Sequence, residues 1–195
     1  MGRRAACTLL LMAAMASSLM ACAPSQVAEH DAGAATGERG FGDIVADQRL
    51  RGRIQGYVLN DDELLDEANV TITVFNRIVL LTGEVPDREA GMRLAGFARG
   101  QDDVRFVYNE LVVAELSSVM SRSRDRMINT AARTRLMTMA DLPEDFDRER
   151  IRLVTERQRL YLLGRVTREE AEGITDALRR VRGVREVVRM FEYLD

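Results

Sequence analysis

Residues 76–90 read NRIVLLTGEVPDREA, and residues 157–171 read RQRLYLLGRVTREEA. The second stretch begins 81 residues after the first. Leu81, Gly83, Val85, Glu89 and Ala90 recur as Leu162, Gly164, Val166, Glu170 and Ala171, and most other positions keep their character. Self-similarity of this kind marks a duplicated supersecondary unit, so the chain is read as two copies of one design.

The repeat continues on both sides of these stretches. Leu50, Ile54 and Val58 fall at i, i+4 and i+8, as do Ile128, Ala132 and Leu136, which is one stripe of an amphipathic helix. Polar loops over 60–69 and 138–150 follow, the second being longer. Val70, Ile72 and Val74 then alternate with polar residues, matched by Ile151 and Leu153, the period-two pattern of a half-buried strand. Asn76-Arg77 and Arg157-Gln158 turn the chain into second strands over 78–85 and 160–166. Gly83 and Gly164 lie inside these strands, where glycine marks a bulge or the close approach of another backbone.

A second helix comes next in each copy. Thr167 and Glu170 form a capping-box pattern, and Asp87 is placed to cap the first copy. Ala171, Ile174, Leu178 and Val181 are its buried stripe in one copy, with Ala90, Leu94 and Phe97 in the other. Third strands run over 104–113 and 184–193, with Val187 and Phe191 as inward anchors. The predicted fold class is α+β: two tandem modules, each α-β-β-α-β, with a three-stranded mixed sheet and two helices on one face. At about 70 residues each, the modules are marginal alone, so packing between them or against a partner is expected to help.

The N-terminus reads differently. MGRRAACTLLLMAAMASSLMAC has a basic start, a short apolar run and small residues at its end, the pattern of a secretory signal over residues 1–21. Its apolar run is shorter than the ~20 residues needed to span a bilayer. Cys22 after Ala21 resembles the lipobox of bacterial lipoproteins, in which this cysteine is the acylated first mature residue; the alternative is ordinary secretory cleavage with Cys22 a free thiol. Residues 22–46 lack hydrophobic period and read as a flexible tether. The modules then cover 47–115 and 122–194. With Cys7 in the signal and Cys22 acylated, the modules fold without a disulfide.

The order helix, V-x-I-x-V, V-x-L-x-G-x-V, helix, G-V-x-x-V resembles the BON domain. The residues that carry it are Val70, Ile72 and Val74; Val79, Leu81, Gly83 and Val85; Leu160, Leu162, Gly164 and Val166; and Gly183, Val184 and Val187. Two copies behind a lipobox resemble the dual-BON outer-membrane lipoproteins. That resemblance implies an acyl anchor at Cys22, exposure to the periplasm, binding of anionic phospholipid and support of envelope integrity. Ala23, which is not the aspartate that retains lipoproteins at the inner membrane, favours the outer membrane. The family's lipid contact is an exposed aromatic residue on the first helix of the second module, and Met127 occupies that place. Asp102-Asp103-Val104 departs from the family's Gly-Val, so the third strand of the first module is expected to start differently.

Charge agrees with a site on the second module. Residues 47–121 carry 8 Arg against 13 acidic residues, a net of −5, whereas residues 122–195 carry 17 Arg against 14, a net of +3. Such asymmetry between halves points to different partners. Arg122, Arg124, Arg126, Arg133 and Arg135 crowd one helix against Asp125 alone. Ile128, Ala132 and Leu136 face its core side, which leaves Met127 outside among guanidiniums. An apolar residue amid arginines suits a membrane interface: the apolar atoms enter the acyl boundary and Arg pairs with phosphate. The candidate phospholipid-binding residues are Arg124, Arg126, Met127, Thr130, Ala131, Arg133 and Thr134; a plain solvated basic face is the alternative.

The leading functional class is therefore a non-enzymatic, membrane-anchored binding module. The second is a scaffold that docks an envelope protein, such as an assembly machine or a regulator of cell-wall hydrolases. Acidic runs such as Asp61-Asp62-Glu63 read as solvated turns. The sequence shows no nucleophile–base–orienter set, phosphate loop, metal-spaced cluster or cofactor motif, so no catalytic residue, metal, cofactor or small-molecule substrate is assigned. His30, the one histidine, lies in the tether. Export argues against nucleic acid.

Overall fold

The computed structural model describes residues 40–143 and 146–195. Cys22, the signal and the tether up to residue 39 lie outside the described residues. The first module comprises α1 (Phe41–Leu59), α2 (Asp62–Glu67), β1 (Asn69–Phe75), β2 (Ile78–Val85), α3 (Arg88–Arg99) and β3 (Phe106–Val113). The second comprises α4 (Val119–Met137), β4 (Ile151–Glu156), β5 (Arg159–Val166), α5 (Arg168–Leu178) and β6 (Glu186–Tyr193). In each sheet the central strand pairs antiparallel with the first strand and parallel with the third. Both helical stripes of a module pack on one sheet face: Leu50 and Ile54 join Ala90 and Leu94 over Ile72 and Leu81, and Ala132 and Leu136 join Ala171 and Ile174 over Leu153 and Leu162. The fold class is the expected α+β duplication.

Several boundaries differ from the sequence reading. Helix α1 begins at Phe41, so residues 41–46, assigned to the tether, are helical. That first turn exposes 81% of Phe41 and 40% of Ile44, so it carries no buried stripe for a periodicity to report. Helix α4 starts at Val119 rather than 122, because Ser118 caps the amide of Ser121 at 3.2 Å. The loop over 60–69 contains α2, capped by Asp61, which buries Leu64. The longer loop of the second module tucks Met139, Leu142 and Phe146 into the core. Helix α5 stops at Leu178, so Val181 packs from the following turn. The two third strands start in equivalent register, Phe106 opposite Ile78 and Glu186 opposite Arg159, contrary to the expected difference. The Val104 amide closes the first turn on Gln101 at 3.0 Å as the Val184 amide closes the second on Val181 at 3.1 Å. Only the second turn uses positive φ, at Gly183.

The hairpins show a repeated device that the sequence reading missed. Asn76 and Arg77 have φ of 48° and 62°, and Arg157 and Gln158 have 51° and 66°, the double positive φ of a two-residue hairpin loop. None of these four is glycine, so the turn is strained without support. A buried carboxylate from the first helix supplies it. Asp47 accepts the amides of Asn76 and Arg77 at 2.7 and 2.8 Å, and Asp125 accepts those of Arg157 and Gln158 at 2.9 Å each. Asp125→Ala removes two charge-assisted hydrogen bonds and is expected to cost about 3–4 kcal/mol in urea unfolding. Asp125→Asn should lose less, since its carbonyl oxygen keeps one of them.

The two sheets also pack against each other. Every residue of β2 is buried, on both faces. Its far face, with Phe75 from β1, supplies Ile78 and Leu80 to a shared core with Val154, Tyr161, Leu163 and Met190 of the second module. This is why the central strands read as near-continuous apolar runs, VLL and LYLL, rather than alternating. Ion pairs rim the interface: Arg157 with Glu84 at 3.1 Å, Arg159 with Glu110 at 2.9 Å and Arg105 with Glu192 at 3.0 Å. Part of the opposite charge of the modules is thus spent between them.

Candidate functional site

Helix α4 divides its residues sharply. Asp125, Ile128, Ala132 and Leu136 are buried. Ile128 also rests on Gly183, where a Cβ would come within 2.9 Å of its side chain. All seven candidate residues, Arg124, Arg126, Met127, Thr130, Ala131, Arg133 and Thr134, are exposed, and Met127 is 73% accessible beside Ile128 at 3%. At 100° per residue, Met127, Ala131 and Thr134 line one ridge. The earlier start of the helix adds Met120 to that ridge, one heptad before Met127, and Val119 beside it, both more than 70% exposed. The sequence reading missed these two; the signal was the seven-residue spacing of the methionines. Arg124 and Arg135 run along one flank of the ridge, and Arg126 and Arg133 along the other. None of these four arginines has an ion-pair partner among the described residues.

Two refinements concern polar groups. Arg122, counted in the sequence among the five arginines of this helix, turns inward and donates to the Ser117 carbonyl. Thr130 and Thr134 donate their hydroxyls to the carbonyls of Arg126 and Thr130, at 2.9 and 3.0 Å. Toward solvent they therefore present methyl groups and lone pairs.

Beside the Arg126 flank lies a cleft of about 690 Å³ between α4, β4 and β1 of the first module. Behind Asn69, one of its lining residues, Glu84 is fully buried and ties both modules to their linker. It accepts from Asn69 at 2.9 Å, from Arg157 at 3.1 Å and from the Ser117 hydroxyl. Burial pushes the Glu84 carboxyl up, but the bonds from Ser117, Asn69 and Arg157 outweigh it and hold the group below the usual range. Glu156, which lines the cleft, has the opposite fate. Burial first, then the negative charges of Glu84 and Asp125, push it up to about 7 against the pull of Arg157 and Arg122.

A pH dependence follows. Between about 4.5 and about 7 the folded chain holds a proton on Glu156 that the unfolded chain has released. Raising the pH through this window therefore removes stability, on the order of 1 kcal/mol once partial exposure is allowed for. Glu156→Gln should match the parent near pH 4.5 and exceed it at pH 8, read as urea midpoints across the range.

The family model for the BON domain matches residues 46–115 and 130–195. The chain belongs to the BON domain family. Its two BON domains coincide with the two modules, although the second match begins at Thr130, beyond Arg124, Arg126 and Met127. The outer membrane lipoprotein DolP of Haemophilus influenzae is 28% identical over 161 residues, covering 83% of this chain and 81% of that protein. The 21 kDa hemolysin of Actinobacillus pleuropneumoniae is 28% identical over 156 residues, 80% of this chain and 78% of that one. Among solved structures, the C-terminal domain of CdsD, a structural protein of the Chlamydia trachomatis type III secretion system, aligns over 76% of this chain and 67% of its own, with 12% identity and a TM-score of 0.30. No described helix is long and apolar enough to cross a membrane.

Proposed function

We propose that this BON protein is a non-enzymatic outer-membrane lipoprotein, anchored through acylated Cys22 and facing the periplasm, that binds anionic phospholipid through α4 and supports envelope integrity. The observation that carries this reading is the exposed apolar ridge of Met120, Met127 and Ala131 between two rows of unpaired arginines. A solvated helix gains nothing from exposed methionines; at an interface they enter the acyl boundary while the guanidiniums meet phosphate. Each basic residue near an anionic leaflet contributes roughly 1 kcal/mol, so α4 alone gives reversible contact and the acyl chains give residence. The relationship to DolP, named as an outer membrane lipoprotein, supports the anchor and the compartment.

The anchor and the helix are tested separately. Cys22→Ser should abolish incorporation of labelled palmitate and release the protein from the membrane fraction. The helix is tested by co-sedimentation of the Cys22→Ser chain with vesicles of graded anionic content. Retention that rises with anionic fraction and falls with salt supports it. Retention equal on zwitterionic and anionic vesicles sinks it and turns attention to a protein partner.

A further inference from the structure

We infer that the cleft between the two modules is a binding site for a phosphorylated polyol. The site is built by both modules. Arg126 projects from α4 with no partner among the described residues, and Arg122 keeps donors beyond the one engaged by Ser117. Across from them Thr71 and Thr73 of β1 line the same cleft, and neither hydroxyl has a partner among the described residues. Two residues apart on one strand face, they stand about 7 Å from each other, a span that suits two hydroxyls of one short polyol. The guanidiniums supply the fork that phosphate oxygens accept.

The remaining groups select a polyol over bare phosphate. Asn129 spends its amide donors on the Leu153 carbonyl and Thr155, at 3.2 and 3.3 Å, so only its oxygen remains for a ligand. Thr130 likewise has given its proton to its own helix. Both ask for a hydroxyl donor; glycerol phosphate offers two carbon-borne hydroxyls for them while its phosphate stays on the guanidiniums, whereas the hydrogen phosphate dianion carries one hydroxyl on the same group that the arginines hold. Asp125 has both its oxygens turned onto the hairpin amides, which offsets part of its repulsion of an anion. Glu156 faces Glu84, Asp125, Arg122 and Arg157, and its raised carboxyl carries less negative charge against an anion than an ordinary carboxylate. Among the described residues no aromatic side chain lines the cleft, so none of them stacks a sugar ring or a base there.

The site stands apart from the membrane reading, on which only the source of the ligand rests. Arg126 and Thr130 belong to both the cleft and the flank of the ridge, so a headgroup lying beside Met127 can reach in; a free glycerol phosphate offers the same chemistry.

The experiment titrates the chain with glycerol phosphate, inorganic phosphate and glycerol, following backbone amide shifts by NMR. Saturable shifts at Thr71, Thr73 and Asn129 are expected with glycerol phosphate, about tenfold weaker affinity with phosphate, and none with glycerol. The double variant Thr71→Val, Thr73→Val keeps strand-forming residues and should lose about tenfold in affinity; Arg126→Ala, at an exposed helix position, should lose as much. Met127→Glu should lose vesicle binding yet retain the glycerol phosphate shifts, which separates failure of this site from failure of the membrane face. A parent preference for phosphatidylglycerol over charge-matched phosphatidic acid vesicles, lost in the Thr71/Thr73 variant, assigns the ligand to lipid. Soluble binding without that preference assigns it to a free polyol phosphate. Absence of saturable shifts at Thr71 and Thr73, or shifts unchanged in both variants, overturns the proposal.

Discussion

Gly83→Ala is expected to unfold the first module, whereas Gly164→Ala, at the equivalent place in the second, should leave a weakened but folded protein. The two glycines pair with Val70 and Ile151 in matching register. Their surroundings differ. Gly83 has φ of +113°, and a Cβ there would lie 1.9 Å from the Asn69 carbonyl oxygen. That oxygen belongs to the backbone of β1, so the clash is relieved only by parting the first two strands. The strained φ and the lost pairing together should exceed about 4 kcal/mol, most of what a small module has. At Gly164 a Cβ would meet the end of the Ile151 side chain at 2.7 Å and the Arg150 carbonyl oxygen at 3.0 Å, with no positive φ. Ile151 can change rotamer, so the cost is that of ordinary overpacking, about 1–3 kcal/mol. Urea unfolding followed by circular dichroism measures both; equal costs would mean that the close approach at Gly83 is not what places a glycine there.

The second large effect is on membrane binding. Arg126→Glu with Arg133→Glu reverses two charges on one flank of the ridge. At roughly 1 kcal/mol per basic residue, with reversal about doubling the loss, the pair should weaken retention on anionic vesicles by about 4 kcal/mol, close to a thousandfold. Met127→Glu should add to the loss, and Met127→Trp should strengthen binding, because an indole suits the interface. All three side chains involved are exposed, so these variants should melt as the parent does. Ile128→Ala is the opposite control: it should cost about 2–5 kcal/mol of stability through lost packing, without touching the ridge. Retention unaffected by the charge reversals would leave α4 an ordinary solvated face.

Local pattern determined a large part of this protein. The duplicated text, the period-two strands and the stripe Ile128, Ala132, Leu136 report which side of each element is apolar, and hence the modules, their helices and the outward position of Met127. The capping box of Thr167 and Glu170 and the glycines in the second strands are equally local, since each depends on neighbours along the chain or on the adjacent strand. Tertiary structure alone decided the rest. Periodicity shows that a face is buried, not what buries it, so Leu80 and Leu163 did not announce that the two sheets would pack on each other. A carboxylate in sequence looks the same whether solvated or satisfied. Asp47 and Asp125 were therefore unreadable as the supports of hairpins 29 and 32 residues away, and Glu84 as the anchor of Arg157. The cleft has the same origin: Thr71 and Arg126 come together only because β1 of one module is packed beside α4 of the other, a juxtaposition set by the shared core and by no local signal in either segment.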